Sequence, residues 1–145
     1  MTDLVFVDTN VFLYAMDEGE AGKHRAASEW RHRLWETRRG RTSFQVLQEF
    51  YFNATRKSRA SSERARDEIQ DLLRWQPASI SASILQRAWD VEDEYRLSFW
   101  DALIVAAAKA SSCRYLLTED LQAGQDFAGV VVVNPFLRNF ASLCE

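Results

Sequence analysis

Residues 4–10 read Leu4-Val5-Phe6-Val7-Asp8-Thr9-Asn10. Four apolar residues in a row, two of them β-branched, predict a short strand buried on both faces, the kind that parallel sheets use. Three polar residues close it, and from Val11 to about Met16 the apolar spacing becomes helical. A buried strand that runs straight into a helix is the opening of a βα unit. The pattern returns near the other end of the chain, where Tyr115-Leu116-Leu117 precedes Thr118-Glu119-Asp120, and Val130 to Val133 forms a further apolar strand. Short buried strands alternating with helices predict an α/β fold. Its short, mainly parallel central sheet has 4–5 strands, flanked by helices on both faces, with helix outweighing strand.

Between these strands the pattern is helical. One helix is expected from about Lys23 to Arg38, with Ala26, Ala27, Trp30, Leu34 and Trp35 on one side and Gly40 as its stop. Thr42-Ser43 reads as the end of a short strand, and Ser43 as the cap of a helix from Phe44 to about Arg56. Ser61 or Ser62 caps the next helix, in which Ala65, Ile69, Leu72 and Leu73 recur up to Trp75. Pro77 to Ile80 is a weak strand candidate. Ala82 to about Tyr95 and Phe99 to about Ala110 are helices, and a terminal helix is expected from Phe136.

The 145 residues suit one domain spanning 1–145, and five Trp with nine Phe supply a core that needs no disulfide or structural metal. Cys113 and Cys144 have no metal-ligand spacing and read as reduced thiols. No apolar run is long enough for a bilayer and no secretory signal is expected, which points to a cytoplasmic protein with no membrane contact. The net charge of −3 hides an asymmetry: residues 23–66 carry twelve Lys and Arg against four acids, a balance of +8, leaving −11 elsewhere. Such a division suits a protein that holds a polyanion beside bound cations, although taken alone solvated helix faces account for it better.

Four acids stand out. Asp8 and Asp120 lie at or just beyond strand carboxyl ends, where α/β folds place their ligands. Asp8 also reads as an ordinary helix N-cap, and Asp120 as the cap of a helical turn at Leu121-Gln122-Ala123. Asp101 sits in the first turn of a helix that is apolar all round and so is expected to be buried on every side. Ser98-x-x-Asp101 also resembles a capping box. A buried carboxylate is stable only when paired, protonated or bound to a cation. Glu49 falls opposite the stripe of Phe44, Leu47, Phe50, Tyr51 and Ala54, so periodicity assigns it to the surface. His24 and His32 read as solvated residues. There is no phosphate-binding glycine loop and no nucleophile elbow, and zinc or thiol chemistry lacks its parts. A carboxylate cluster remains, and all-oxygen ligands suit Mg²⁺ or Mn²⁺.

The segments FVDTNVFLYA (6–15), SFQVLQEFYF (43–52), SFWDALIVAAA (98–108) and YLLTEDLQAGQ (115–125), followed by VVVVNPF (130–136), resemble the PIN-domain ribonucleases. The likeness is greatest to single-domain VapC-type toxins of toxin–antitoxin pairs. It implies a single PIN-like nuclease domain acting as a Mg²⁺- or Mn²⁺-dependent endoribonuclease. By motif, Asp8, Glu49, Asp101 and Asp120 become its catalytic metal ligands, and Thr9, Asn10 and Thr118 their supports. Glu119 competes with Asp120 as the fourth acid. The likeness also implies an RNA substrate held by the 23–66 stretch, a cognate antitoxin and a homodimer, the last echoed by the abundance of aromatics such as Trp30, Trp35, Phe50 and Phe52. Two other readings stand beside it. One is a catalytically silent RNA- or protein-binding domain of the same fold. The other is a phosphohydrolase with Asp8 as nucleophile, which the haloacid-dehalogenase-like D-x-D pattern disfavours because Asn10 fills the second position.

Overall fold

The structure, a computed structural model, describes residues 3–56 and 59–143, without the side chains at 59 and 60. Lys57 and the side chain of Arg59, both counted in the basic stretch, lie outside it, as does Cys144. Among the described residues five strands form one sheet: β1 (Leu4–Val7), β2 (Gly40–Arg41), β3 (Cys113–Leu117), β4 (Asp126–Phe127) and β5 (Val130–Val133), in the order β2-β1-β3-β5-β4. All pairs are parallel except β4 with β5. Val5, Phe6 and Val7 are almost completely buried although they alternate between the two faces, so both faces of the sheet are covered.

Among the described residues six helices do the covering: α1 (Thr9–Met16), α2 (Ala21–Thr37), α3 (Phe44–Ala54), α4 (Arg59–Leu72), α5 (Ala82–Tyr95) and α6 (Phe99–Ala110). From β1 the chain moves to β2 on one side and later to β3 on the other. With right-handed crossovers, the α1–α2 and α3–α6 connections therefore pack on opposite faces. That reversal makes the gap between the carboxyl ends of β1 and β3 a topological switch point, the usual ligand crevice of such sheets.

The expected architecture holds, with local departures. Arg38 ends α2 in a left-handed conformation (φ 58°), whereas Gly40 is part of β2. A Cβ on Gly40 would stand 2.4 Å from the Trp75 ring, so glycine is there for close approach. The strand stops at Arg41; Ser43 beyond it caps α3, accepting from the Val46 N–H at 3.3 Å. Ser61 and Ser62 are inside α4, which begins at Arg59, and α4 gives way to a 3-10 turn at Leu73–Trp75. Pro77 to Ile80 makes only a single bridge, Ser43 to Ala78. The antiparallel β4 has too short a span to read from sequence. The terminal segment holds a 3-10 turn at Phe140–Leu143 instead of a helix from Phe136.

Of the four aromatics expected to exceed the core, Trp30 and Phe50 are buried and Trp35 is half-buried; only Phe52 is well exposed. Trp89, Trp100 and Leu137 are exposed instead. Phe44, placed on the core stripe by its spacing, is 39% exposed. Among the described residues no helix is long and apolar enough to cross a membrane.

Candidate active site

Asp8 directly follows β1 and is 7% exposed. Its Oδ1 accepts the Thr9 N–H at 2.7 Å, and its Oδ2 accepts the Thr118 hydroxyl at 2.8 Å and an Asn10 Nδ2 proton at 3.4 Å. Asp8 is thus the N-cap of α1 as well as part of a wider network. The same Asn10 nitrogen lies 3.0 Å from Thr118 Oγ1 and 3.1 Å from Asp120 Oδ2. Thr118 is fully buried just beyond β3, where its Oγ1 also accepts the Asp120 N–H at 3.1 Å. One amide and one hydroxyl therefore join the polar segments after β1 and β3. Asp120 is exposed in a bend; no helical turn follows it.

Glu49 comes in from α3. Its Oε2 accepts the Thr9 hydroxyl at 3.0 Å and its Oε1 accepts Gln45 Nε2 at 3.1 Å. Periodicity fails here because α3 buries two stripes. Val46, Leu47, Phe50 and Ala54 meet the core, while Gln45 and Glu49, one turn apart, face Thr9. Gln45 went unnoticed in the sequence, although its i,i+4 spacing to Glu49 was the available signal. Its Oε1 is buried and has no donor among the described residues.

Asp101 stands in the first turn of α6, where its N–H donates to Ser98 Oγ at 3.2 Å, as the capping reading required. Residues 102–108 are buried as expected, but the amino end of the helix emerges: Asp101 is half-buried and Trp100 is 63% exposed.

The electrostatics tie the four acids together. Burial pushes the Asp8 carboxyl up to about 6, against the pull of the Thr9 N–H and the Thr118 hydroxyl, and the charges of Asp120 and Glu49 add to the rise. Asp101 is raised by burial first and then by the same two charges, with Ser98 opposing. Glu119 is engaged elsewhere. Lys23 Nζ donates to its Oε2 at 2.9 Å and to Tyr14 Oη at 3.3 Å, over the rings of Tyr14 and Phe136. Asp120, not Glu119, faces Asp8. Yet among the described residues no three His, Cys, Asp or Glu side chains stand close enough together to hold one metal ion. Asp8 and Asp120 are joined through Thr118 and Asn10, Glu49 reaches Thr9, and Asp101 is linked to them by charge alone, without closing into a ligand set among the described residues. Their chemistry fits a hard divalent cation: every donor is oxygen, and a buried carboxyl raised by its neighbours' charge is relieved by positive charge.

Among the described residues, neither His24 nor His32 bonds to these acids. The first bonds the Tyr14 carbonyl and the second lies beside Glu36. The basic 23–66 stretch is not one face. Lys23 is held by Glu119, Arg31 by Glu68 and Asp71, and Arg33 lies beside Glu29 and Glu36. Arg39 is buried against the Asp3 carbonyl.

No curated protein matches the chain. Among solved structures, a toxin–antitoxin complex from Klebsiella pneumoniae superposes with a TM-score of 0.65 at 22% identity, over 90% of this chain and 97% of that one. DNA-bound VapBC from Salmonella typhimurium gives 0.60 at 16% identity, over 90% and 96%. A sarcin-ricin-loop-cleaving VapC toxin of Mycobacterium tuberculosis gives 0.58 at 22% identity, over 77% and 86%. At these identities the likeness is one of fold. Sequence itself carries the assignment further: residues 5–125 match the PIN domain, a span that holds all four acids and their Thr and Asn supports, and the chain therefore belongs to the PIN-domain family.

Proposed function

We propose that this PIN-domain chain is a divalent-metal-dependent endoribonuclease, hydrolysing RNA phosphodiester bonds, and that it is the toxin of a toxin–antitoxin pair. The observation that carries the reading is the Asn10–Thr118 bridge. It ties Asp8 and Asp120 together beyond two adjacent parallel strands, within reach of the charges of Glu49 and Asp101. Asp8, Glu49 and Asp101 would hold Mg²⁺ or Mn²⁺ directly or through water, with Asp120 completing a second position or orienting water. The bound cation supplies Lewis acidity at the phosphate and a lowered water pKa. The chain's own residues supply orientation. Thr118 and Asn10 aim the Asp8 and Asp120 carboxylates, and Thr9 and Gln45 fix both oxygens of Glu49.

The experiment is RNA hydrolysis with Mn²⁺, with EDTA, and with Asp8→Asn and Asp101→Asn. Cleavage is expected only for the unaltered chain with the cation; cleavage that persists through chelation and both substitutions rejects the proposal. The Klebsiella and Salmonella neighbours, a toxin–antitoxin complex and a VapBC assembly, support a cognate antitoxin, tested by co-purification with the product of an adjacent small reading frame. Exposed Phe52, Trp89, Trp100 and Leu137 support a homodimer, tested by solution mass at micromolar concentration.

One observation favours a second reading, a catalytically silent RNA- or protein-binding domain: the acids do not form a ready ligand group among the described residues. It predicts binding without turnover and indifference to Asp8→Asn, so the same assay separates the two.

A further inference from the structure

A second concave feature lies along the edge strand, away from the acids. A groove of about 480 Å³ is lined by Trp35 and Arg38 from the end of α2, Arg41 of β2, and Arg74, Trp75 and Gln76 at the turn after α4. Half of these residues are arginines and none is acidic. Among the described residues no carboxylate lies within ion-pair distance of Arg38, Arg41 or Arg74, whereas Lys23, Arg31 and Arg33 of the same basic stretch all have acidic partners. Arg41 is oriented by its own backbone surroundings, with Nη1 donating to the carbonyls of Arg38 at 3.2 Å and Gly40 at 2.7 Å.

The floor is buried and its aromatic faces are taken. Trp75 is 6% exposed, seated on Gly40, with Phe12 at 5.9 Å and Trp35 at 6.5 Å between ring centroids. Arg31 covers Trp35 at 4.8 Å. Stacking of a base, or the apolar anchoring that an acidic peptide uses, has little surface to work on. The recognition chemistry left is that of the guanidinium groups, whose forked N–H donors match phosphate oxygens. Three like charges around one groove repel one another, and an anion between them removes that repulsion.

We propose that Arg38, Arg41 and Arg74 form a subsite for the phosphodiester backbone of single-stranded RNA, a second anchorage apart from the carboxylate end. The choice of RNA as the polyanion rests on the nuclease reading above. The subsite replaces the diffuse basic stretch of the sequence with a defined set of residues, one of which, Arg74, lies outside that stretch.

The test uses the full chain and a labelled single-stranded RNA in EDTA, where binding is read without cleavage. Arg38→Gln/Arg74→Gln is expected to weaken binding about tenfold or more and to make the plot of log K against log salt shallower by about 1.4, near 0.7 for each phosphate no longer neutralised. Arg87→Gln/Arg114→Gln removes the same charge from exposed positions outside the groove and outside residues 23–66 and is expected to change affinity far less. No RNA binding by the unaltered chain, unchanged binding by the first variant, or equal losses in both variants overturns the subsite. Hydrolysis with Mn²⁺ on the same preparations separates the two claims. Arginine-dependent binding without any cleavage sinks the nuclease reading and leaves the subsite. Metal-dependent cleavage with binding indifferent to the arginines does the reverse.

Discussion

The carboxylate end and the arginine groove are built by opposite routes. Asp8, Glu49, Asp101 and Asp120 come from four separate segments that come within reach of one another's charge near the carboxyl ends of β1 and β3. The groove comes from two short segments, 35–41 and 74–76, that meet across one tryptophan ring and one glycine. Charge is stored at both. At the carboxylate end Asp8 is buried and Asp101 half-buried, and burial with like neighbours raises both. At the groove Arg38 and Arg74 are exposed and Arg41 is half-buried, so their charge is cheaper to hold. The difference teaches that the acids are a destabilising feature which the fold tolerates, whereas the arginines leave stability almost untouched.

The largest effect expected from breaking this contrast is on activity. Asp8→Asn or Asp101→Asn should lower metal-dependent RNA cleavage on the order of 10³-fold, the scale of losing one element of transition-state charge stabilisation. Circular dichroism should stay unchanged, since neither substitution removes core volume. A variant that keeps most of its activity separates the acids from the chemistry.

Next comes pH. The Asp8 carboxyl titrates near 3.8 when free and about 6 in the fold, so folding favours its neutral form. Its contribution to stability is complete below the lower value and is lost as the pH rises through the upper one. In EDTA, the unfolding free energy should fall between about pH 4 and 6 by up to about 3 kcal/mol. Asp101, raised in the same direction, adds to the slope. Asp8→Asn should flatten the Asp8 part, and Mn²⁺ at neutral pH should restore stability by binding the folded state. Denaturant titrations across that range check both, and a flat profile in the unaltered chain breaks the comparison.

A smaller effect belongs to the other region. Gly40→Ala drives a methyl into the Trp75 ring and should cost about 2 kcal/mol in denaturant unfolding, the scale of an overpacked site. The acids should keep their metal response. Smallest is Thr118→Val, which removes the hydroxyl shared by Asp8, Asn10 and Asp120 at nearly constant volume. About 1 kcal/mol of stability and roughly tenfold in Mn²⁺ affinity should go, measured by unfolding and by metal titration. Unchanged metal affinity would show that Thr118 serves the fold alone.

Much of this was legible in the residues, and the failures have particular causes. Val5 to Val7 announced a strand covered on both faces, and Ser43 and Ser98 announced helix starts, because strand burial and N-capping are local. Glu49 was hidden from periodicity because α3 carries a core stripe beside a polar stripe that faces Thr9; resemblance to the PIN family, not spacing, made it a candidate. Gly40 looked like a helix stop, yet its reason is the Trp75 ring, 35 positions along the chain. The 23–66 charge balance looked like one surface, yet ion pairs to Glu68, Asp71 and Glu119, together with the burial of Arg39 against the Asp3 carbonyl, disperse it.

By itself, the sequence determined the alternation of buried strands and helices, several helix starts, and the motifs that resemble the PIN family. These depend on side-chain period, caps and short motifs, which act within a few residues. Only the tertiary structure decided that Asn10 and Thr118 join Asp8 to Asp120, that Lys23 pairs with Glu119, and that Arg74 joins Arg38 and Arg41 across Trp75. Those outcomes depend on which distant segments the sheet order brings within hydrogen-bond distance, and no local pattern encodes a distance of that kind.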